Sequence, residues 1–307
     1  MKVFLTGGTG VAGRLTVPAL IGAGHDVRVV CRREEAAAAL RAVGAEPVTL
    51  DLFDADAVAR AVVGSEAVVH LATSVPPMSK AARPKGWAMH NRLRVEATCH
   101  LVRAAQATGA TRFVKESISF VYRDGGDGWI TEESSLLADL GQLGDTLTGE
   151  GLAREFASGG DAVVLRFGLF YGEAGNRGTD EMLRLARLRR STIAGAPTAY
   201  MSSIHCADVA SAVTAALTVS SGVYNVVDDE PLPRGEYLRA FGDAFGIKAP
   251  KPTPAALVKL AGGSAADGLV ASQRVANRKF RDAAGWAPQY PSAREGWQAV
   301  AKERGRS

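Results

Sequence analysis

A doubly wound α/β fold, with a parallel sheet covered by helices on both faces and a smaller, mostly helical C-terminal lobe, is the fold class this sequence predicts. Three observations carry it. Through the first 170 residues, short β-branched apolar runs alternate with longer Ala/Leu-rich stretches, and the short runs are almost continuously apolar. A third observation is a glycine-rich turn directly after the first apolar run. The expected strands are Val3–Thr6, Asp26–Cys31, Pro47–Leu50, Ala67–Leu71, Arg112–Glu116 and Ala162–Phe167. The helical stretches between them are Ala12–Ala23, Glu34–Val43, Ala55–Val63 and Arg92–Thr108. Right-handed crossovers then place ligands at the carboxyl ends of the strands.

The pattern changes after Gly172, which divides the chain into an expected dinucleotide-binding unit (1–172) and a substrate lobe (173–307). The second part has a basic helical stretch within Gly175–Gly195, then Tyr200–His205, a helix-like Ala207–Leu217 and an apolar Val223–Val227. Beyond Pro231 the segments are short and punctuated by prolines. This part is expected to return one or two strands to the main sheet.

Composition narrows the function. The 307 residues are 47% hydrophobic and 22% charged, an ordinary globular balance. A net charge of +4 without a dense basic face speaks against nucleic acid. Cys31, Cys99 and Cys206 are isolated and lack metal-ligand spacing, so no metal is expected. No signal peptide fits the first residues and no apolar run reaches the ~20 residues needed to span a bilayer. A cytoplasmic location without a membrane partner is the expectation.

The strongest motif is Thr6-Gly7-Gly8-Thr9-Gly10-Val11-Ala12-Gly13, which leaves a strand and opens a helix. Gly7 permits a tight turn, Gly10 lets backbone approach a pyrophosphate, and Gly13 lets helix and strand pack closely. The N–H groups of Val11, Ala12 and Gly13 then face the phosphates. This is the Rossmann arrangement. Folds selective for NAD usually carry an acid after the second strand; here Arg32-Arg33 stand there, suited to a 2′-phosphate, so NADP(H) is favoured over NAD(H).

From this point the chain resembles the extended short-chain dehydrogenase/reductase family, including its atypical members, over essentially its whole length. The Thr-Gly-x-x-Gly-x-x-Gly turn is similar to that family's. Asp51-Leu52 matches its adenine-contacting pair, and His70-Leu71-Ala72-Thr73 its fourth-strand segment beneath the cofactor. Asn91 is similar to the family's helix asparagine, and Phe167, Gly168 and Leu169 lie in the segment that passes the nicotinamide. His205-Cys206-Ala207-Asp208 and Gly222-Val223-Tyr224-Asn225 resemble family punctuation in the second lobe.

The resemblance breaks at the chemistry. The family carries Tyr-x-x-x-Lys on the helix after the fifth strand; Leu147 and Gly151 stand at those positions. Its serine position falls on Ile118, flanked by Ser117 and Ser119 on the opposite strand face. Replacement catalytic candidates are Ser117, Ser119, Lys115, Asn91 and Tyr122, with Lys115 also able to reach the ribose. His90 and Tyr200 are expected near a cleft, and Met78, Trp87 and Met89 are candidates for lining an apolar pocket. The resemblance implies an NADPH-dependent ketoreductase acting on a bulky polycyclic aromatic or polyketide ketone, with the substrate assisting its own reduction. Atypical members that reduce angucyclinones in actinomycete antibiotic biosynthesis supply this substrate type. A non-catalytic NADP(H)-binding sensor or scaffold is the alternative, and a sugar-nucleotide epimerase or dehydratase ranks below both. Monomer and homodimer remain equally consistent.

Overall fold

The computed structural model describes residues 1–76, 83–172, 177–262 and 265–305. The chain runs β1 (Lys2–Thr6), α1 (Gly13–Gly22), β2 (Asp26–Val30), α2 (Glu34–Ala42), β3 (Glu46–Val48), α3 (Ala55–Val62), β4 (Ala67–His70), α4 (Pro84–Arg92), a π-helical turn (Leu93–Ala97), α5 (Thr98–Ala107) and β5 (Arg112–Ile118). It continues through β6 (Trp129–Ile130), α6 (Asp145–Glu155), β7 (Asp161–Phe167), β8 (Leu169–Tyr171), α7 (Arg177–Arg187), β9 (Tyr200–Met201), β10 (Ser203–His205) and α8 (Cys206–Ala215). The last elements are β11 (Gly222–Val226), β12 (Leu232–Pro233), α9 (Arg234–Ala244), α10 (Ala255–Gly262), α11 (Ala265–Val270), β13 (Arg274–Val275), α12 (Arg278–Ala284) and α13 (Ala293–Arg304).

Seven strands form one sheet in the order β11-β7-β5-β4-β1-β2-β3, and every adjacent pair in it is parallel. The sequence therefore predicts the fold class correctly, and β11 is the strand returned to the sheet from the C-terminal part. Alternation along β1 divides the core: Val3 and Leu5 join Val17, Val29 and Val213 on one face, while Phe4 joins Val68, Leu101 and Phe113 on the other. A separate aromatic cluster in the C-terminal part gathers Tyr171, Tyr237, Phe241 and Trp297. No helix among the described residues is long and apolar enough to cross a membrane.

Two expectations shift. The helix expected from Arg92 starts at Pro84, because proline at the first helical position sacrifices no intrahelical hydrogen bond, and it passes through the π-helical turn before α5. The fifth strand runs two residues beyond Glu116 to Ile118, because β7 keeps pairing with it as far as Ile118↔Phe167.

Candidate functional site

The phosphate turn is built by contact. A Cβ on Gly13 would lie 2.2 Å from the Gly7 carbonyl oxygen and 2.4 Å from Gly8 Cα. One on Gly7, whose φ is +82°, would lie 2.6 Å from the Leu71 and Ala72 backbone. Gly10 meets only the Gly7 oxygen, at 3.2 Å, leaving its outer side open. No side chain caps α1 and no acid occupies its first turn. Its N-terminal N–H groups, at Val11, Ala12 and Gly13, are therefore disposed for an anion, with Thr9 exposed at the rim.

At the end of β2, Arg32 and Arg33 are both exposed, and neither has an ion-pair partner among the described residues. Glu34, the acid nearest to neutralising them, bonds Arg41 instead at 2.8 Å. Asp51 is exposed beyond β3 and accepts from the Phe53 N–H, while the Leu52 carbonyl meets His100 Nδ1 at 3.1 Å. Leu71 is buried at the end of β4, with Ala72 and Thr73 following it outward.

Beneath these strand ends lies a buried polar network. His70 Nε2 lies 3.1 Å from the Leu93 carbonyl, which only accepts, so Nε2 donates and Nδ1 accepts from the Thr6 hydroxyl at 2.6 Å. Burial holds this imidazole neutral, its pKa well below the usual value. Lys115 pairs with His70 in the sheet register and is fully buried, with Nζ donating to the Glu116 carbonyl at 2.8 Å. Arg94 closes on the Glu116 carboxylate at 2.8 Å. On the next stretch of β5, Ser117 donates to Glu150, which is clamped by Arg166 at 2.6 and 2.9 Å. Arg166 also donates to the Tyr122 hydroxyl at 2.9 Å, and that hydroxyl donates to Asn225 Oδ1 at 2.7 Å.

Burial, reinforced by Arg94, pushes Lys115 down to about 7 against the opposing pull of Glu116 and Glu150. The unfolded chain therefore holds more protons than the folded one between about pH 7 and the ordinary lysine pKa. Lys115 makes stability rise with pH through that window, and its burial penalty is felt in full below it. Lys115→Met should raise stability at neutral pH by about 1–4 kcal/mol and flatten the rise, since Glu116 and Glu150 keep their arginines. Urea denaturation at pH 6.5 and 9 reads this, and a slope unchanged from wild type would remove the assigned cause.

The candidates thus fall into different settings. Ser117, Lys115 and Tyr122 belong to the buried network, and both neighbours of the Tyr122 hydroxyl are structural. Ser119 Oγ, Asn91 Oδ1, His90 Nδ1 and Thr146 Oγ1 are buried without hydrogen-bond partners among the described residues. Burial drives His90 down to about 3, so it is neutral at pH 7. Ser119 does not share a strand face with Ser117, because β5 ends at Ile118 and Ser119 starts a 3-10 turn. Ile118, Leu147 and Trp87 pack against one apolar cluster that contains Val121, Tyr122 and Leu143. Gly151, one turn along α6 from Leu147, is exposed, and a Cβ there would meet nothing within 4 Å. Phe167 is buried, and a Cβ on Gly168 would lie 2.8 Å from the Ser202 carbonyl, so that residue type is set by close approach. Leu169 is half-buried behind them. Tyr200 stacks on Arg274, which also covers Trp129. Met89 is exposed, and Met78 lies outside the described residues. His205 is a helix cap whose Nδ1 accepts from the Ala207 N–H.

The two buried ion pairs, Arg94–Glu116 and Glu150–Arg166, are not visible in the sequence. Their only trace is local, an arginine and a glutamate inside otherwise apolar strands, because Arg94–Glu116 and Glu150–Arg166 are joined by the fold.

Residues 3–226 match the model of the NAD-dependent epimerase/dehydratase family. A 3-diazoavenalumate denitrifying reductase from a Streptomyces species is 34% identical over 306 residues, covering 96% of this chain and 99% of that one. The 4-hydroxy-2-methyl-3-oxo-4-farnesyl-3,4-dihydroquinoline-1-oxide ketoreductase of Stigmatella aurantiaca is 27% identical over 255 residues, covering 81% of this chain and 75% of that one. Among solved structures, human epimerase family protein SDR39U1 with NADPH superposes with a TM-score of 0.80 at 25% identity, covering 98% of this chain and 99% of its own. The parallel sheet, the glycine turn and these likenesses agree: the chain belongs to the NAD-dependent epimerase/dehydratase family of extended short-chain dehydrogenases/reductases, and it is an NAD(P)-dependent oxidoreductase.

Proposed function

We propose that the protein is an NADPH-dependent reductase of a bulky, polycyclic aromatic or polyketide ketone, and that the substrate completes the reaction without a tyrosine–lysine pair. One observation carries this. Ile118 and Leu147, at the positions where the family resemblance puts serine and tyrosine, are apolar and, like Trp87, partly buried against one hydrophobic cluster. The lysine position, Gly151, opens onto free space.

The residues fit the cofactor. Gly7, Gly10 and Gly13 clear room for a pyrophosphate that the start of α1 would bind, and Asp51 and Leu52 would flank the adenine. Arg32 and Arg33 would hold a 2′-phosphate. Leu71, Ala72, Thr73, Phe167, Gly168 and Leu169 would border the nicotinamide end. Bound NADPH supplies hydride. Replacing both arginines by serine should weaken NADPH binding at least ~100-fold, since charge-assisted hydrogen bonds contribute ~1.5–3 kcal/mol each, and leave NADH within twofold. Calorimetry with both cofactors measures this, and an equal loss for NADH would defeat the 2′-phosphate assignment.

Apolar residues at these positions would offer a flat aromatic system a surface, and Lys115, Ser119 and Asn91 are the polar candidates that would face it. A ketone with a neighbouring phenol carries its own hydrogen-bond donor, and its reduction spreads charge over the ring system. Positioned acid catalysis is typically worth ~10²–10⁴-fold, and internal stabilisation of that order replaces it. The experiment is deuteride transfer from 4-deuterated NADPH to aromatic ketones with and without the adjacent hydroxyl. Deuterium on the carbinol carbon and a strong preference for the hydroxylated ketone are expected; equal rates would defeat substrate assistance.

A second acceptor is favoured by the full-length likeness to the denitrifying reductase. An arene diazonium takes hydride at its ring carbon. The new C–H bond uses the hydride electron pair, the C–N bond breaks, and its pair leaves with N₂. No proton is required, which suits the same apolar positions. Deuterium on the arene ring with release of N₂ would distinguish this acceptor from the ketone. A protein that binds NADPH yet reduces neither acceptor would be the sensor.

A further inference from the structure

Among the described residues three arginines are buried, Arg94, Arg166 and Arg234, and two of them are paired with carboxylates. Arg94 is held by Glu116 and Arg166 by Glu150. Arg234, 2% exposed at the start of α9, has no ion pair among the described residues. Its Nη2 donates to the carbonyls of Leu269 and Ala271 at 3.1 and 2.7 Å, while Nε and Nη1 have no hydrogen-bond partner among the described residues. Asp124, the acid whose charge reaches it, accepts instead from the N–H groups of Gly126 and Ser272, each at 2.9 Å. A buried guanidinium with neither counter-charge nor a full set of acceptors is costly, and buried charges are ordinarily paired.

The position is suited to substrate. The carbonyls that Arg234 holds end α11, and α11 rests on the turn that follows β5: a Cβ on Gly268 would lie 2.3 Å from the Phe120 carbonyl oxygen. Opposite the guanidinium lies Gly195, with φ +113°, where a Cβ would sit 3.1 Å from Arg234 Cζ. Only glycine lets the backbone approach the cation this closely, near the turn that follows the strand carrying the candidate site.

We propose that Arg234 is a specificity-determining residue that receives a carboxylate, or another anionic oxygen substituent, at the end of the substrate remote from the reacting carbon. This rests on the reading of the cleft as a site for an aromatic substrate, and adds that the substrate is an acid. A guanidinium paired to a carboxylate in a water-poor setting forms charge-assisted hydrogen bonds that an ester cannot replace.

The test needs no turnover. Benzoate, 1-naphthoate, 4-hydroxycinnamate and their methyl esters are titrated into the protein–NADP⁺ complex, using wild type, R234M and R234Q. For at least one pair, the acid should bind wild type at least ~10-fold tighter than its ester, as one charge-assisted contact implies. In both variants that ratio should fall to within twofold, with ester affinity retained. Three results would overturn the proposal: no acid preference for any pair in wild type, a preference that survives both variants, or equal loss of acid and ester together with a lower Tm. The last would make Arg234 only a cap for α11. Acid binding that depends on Arg234 without any NADPH oxidation would defeat the reductase reading and leave this one standing.

Discussion

Glu150→Ala should destabilise the protein by about 3–5 kcal/mol, the cost of stranding one member of a buried ion pair. Glu150 accepts from Arg166 at two positions and from Ser117, and both partners are buried. Removing the carboxylate leaves the Arg166 guanidinium with the Tyr122 hydroxyl as its remaining hydrogen-bond partner, in a setting where water cannot compensate. The loss reaches the end of β5, because Ser117 sits opposite Arg166 in the strand register. Glu150→Gln retains acceptor capacity but not charge and should fall between wild type and alanine. Glu150→Leu combined with Arg166→Met removes both charges together and should recover most of the stability, since replacing a buried pair with apolar groups is often neutral. Urea denaturation of wild type, Glu150→Leu, Arg166→Met and the double variant forms a double-mutant cycle. Additive losses would show that the two residues are not coupled.

The parts of this molecule legible in its sequence are those fixed by short-range chemistry. The turn Gly7–Gly13 announces itself because three glycines within one turn answer contacts to nearby backbone. The strands are legible because a sheet covered on both faces makes them apolar throughout. The polar network under the strand ends is not legible, because its members meet only after folding. Arg94 reaches Glu116 across 22 residues, and Tyr122 reaches Asn225 across 103. A charged residue in a sequence is more often solvated than buried, so nothing singles out Glu116, Glu150 or Arg234 in advance. Lys115 was legible as a candidate from its position at a strand end, but its burial depends on His70, Arg94 and the two glutamates closing around it. His205 reads as a strand-edge residue and turns out to cap α8, since one local N–H, that of Ala207, decides its role. The aromatic cluster around Trp297 draws in Tyr171 from a strand far upstream, a packing choice no local pattern encodes.

Gly13→Ala and Gly22→Ala place the same methyl group in the same helix, and they should have opposite effects. At Gly22 a Cβ meets nothing within 4 Å, so alanine adds only helix propensity and should be neutral or stabilise by up to about 1 kcal/mol. At Gly13 the Cβ would lie 2.2 Å from the Gly7 carbonyl oxygen and 2.4 Å from Gly8 Cα. Both obstacles are backbone, so no rotamer change relieves the overlap; α1 and the turn must move apart. Forcing a methyl into a filled space typically costs ~1–3 kcal/mol, and here the displacement falls on the phosphate-binding turn itself. Gly7 cannot absorb it, because its own φ of +82° and the Leu71 and Ala72 backbone behind it hold that side in place. NADPH affinity should therefore fall at least ~100-fold in Gly13→Ala, equivalent to ~2.7 kcal/mol, and remain unchanged in Gly22→Ala. NADH should lose as much as NADPH, because the pyrophosphate common to both is what the turn would seat, in contrast to the selective loss expected at Arg32 and Arg33. Titration calorimetry with both cofactors, beside thermal unfolding of each apoprotein, separates lost binding from lost fold. A folded Gly13→Ala protein that binds NADPH within threefold of wild type would show that the dinucleotide phosphates rest elsewhere.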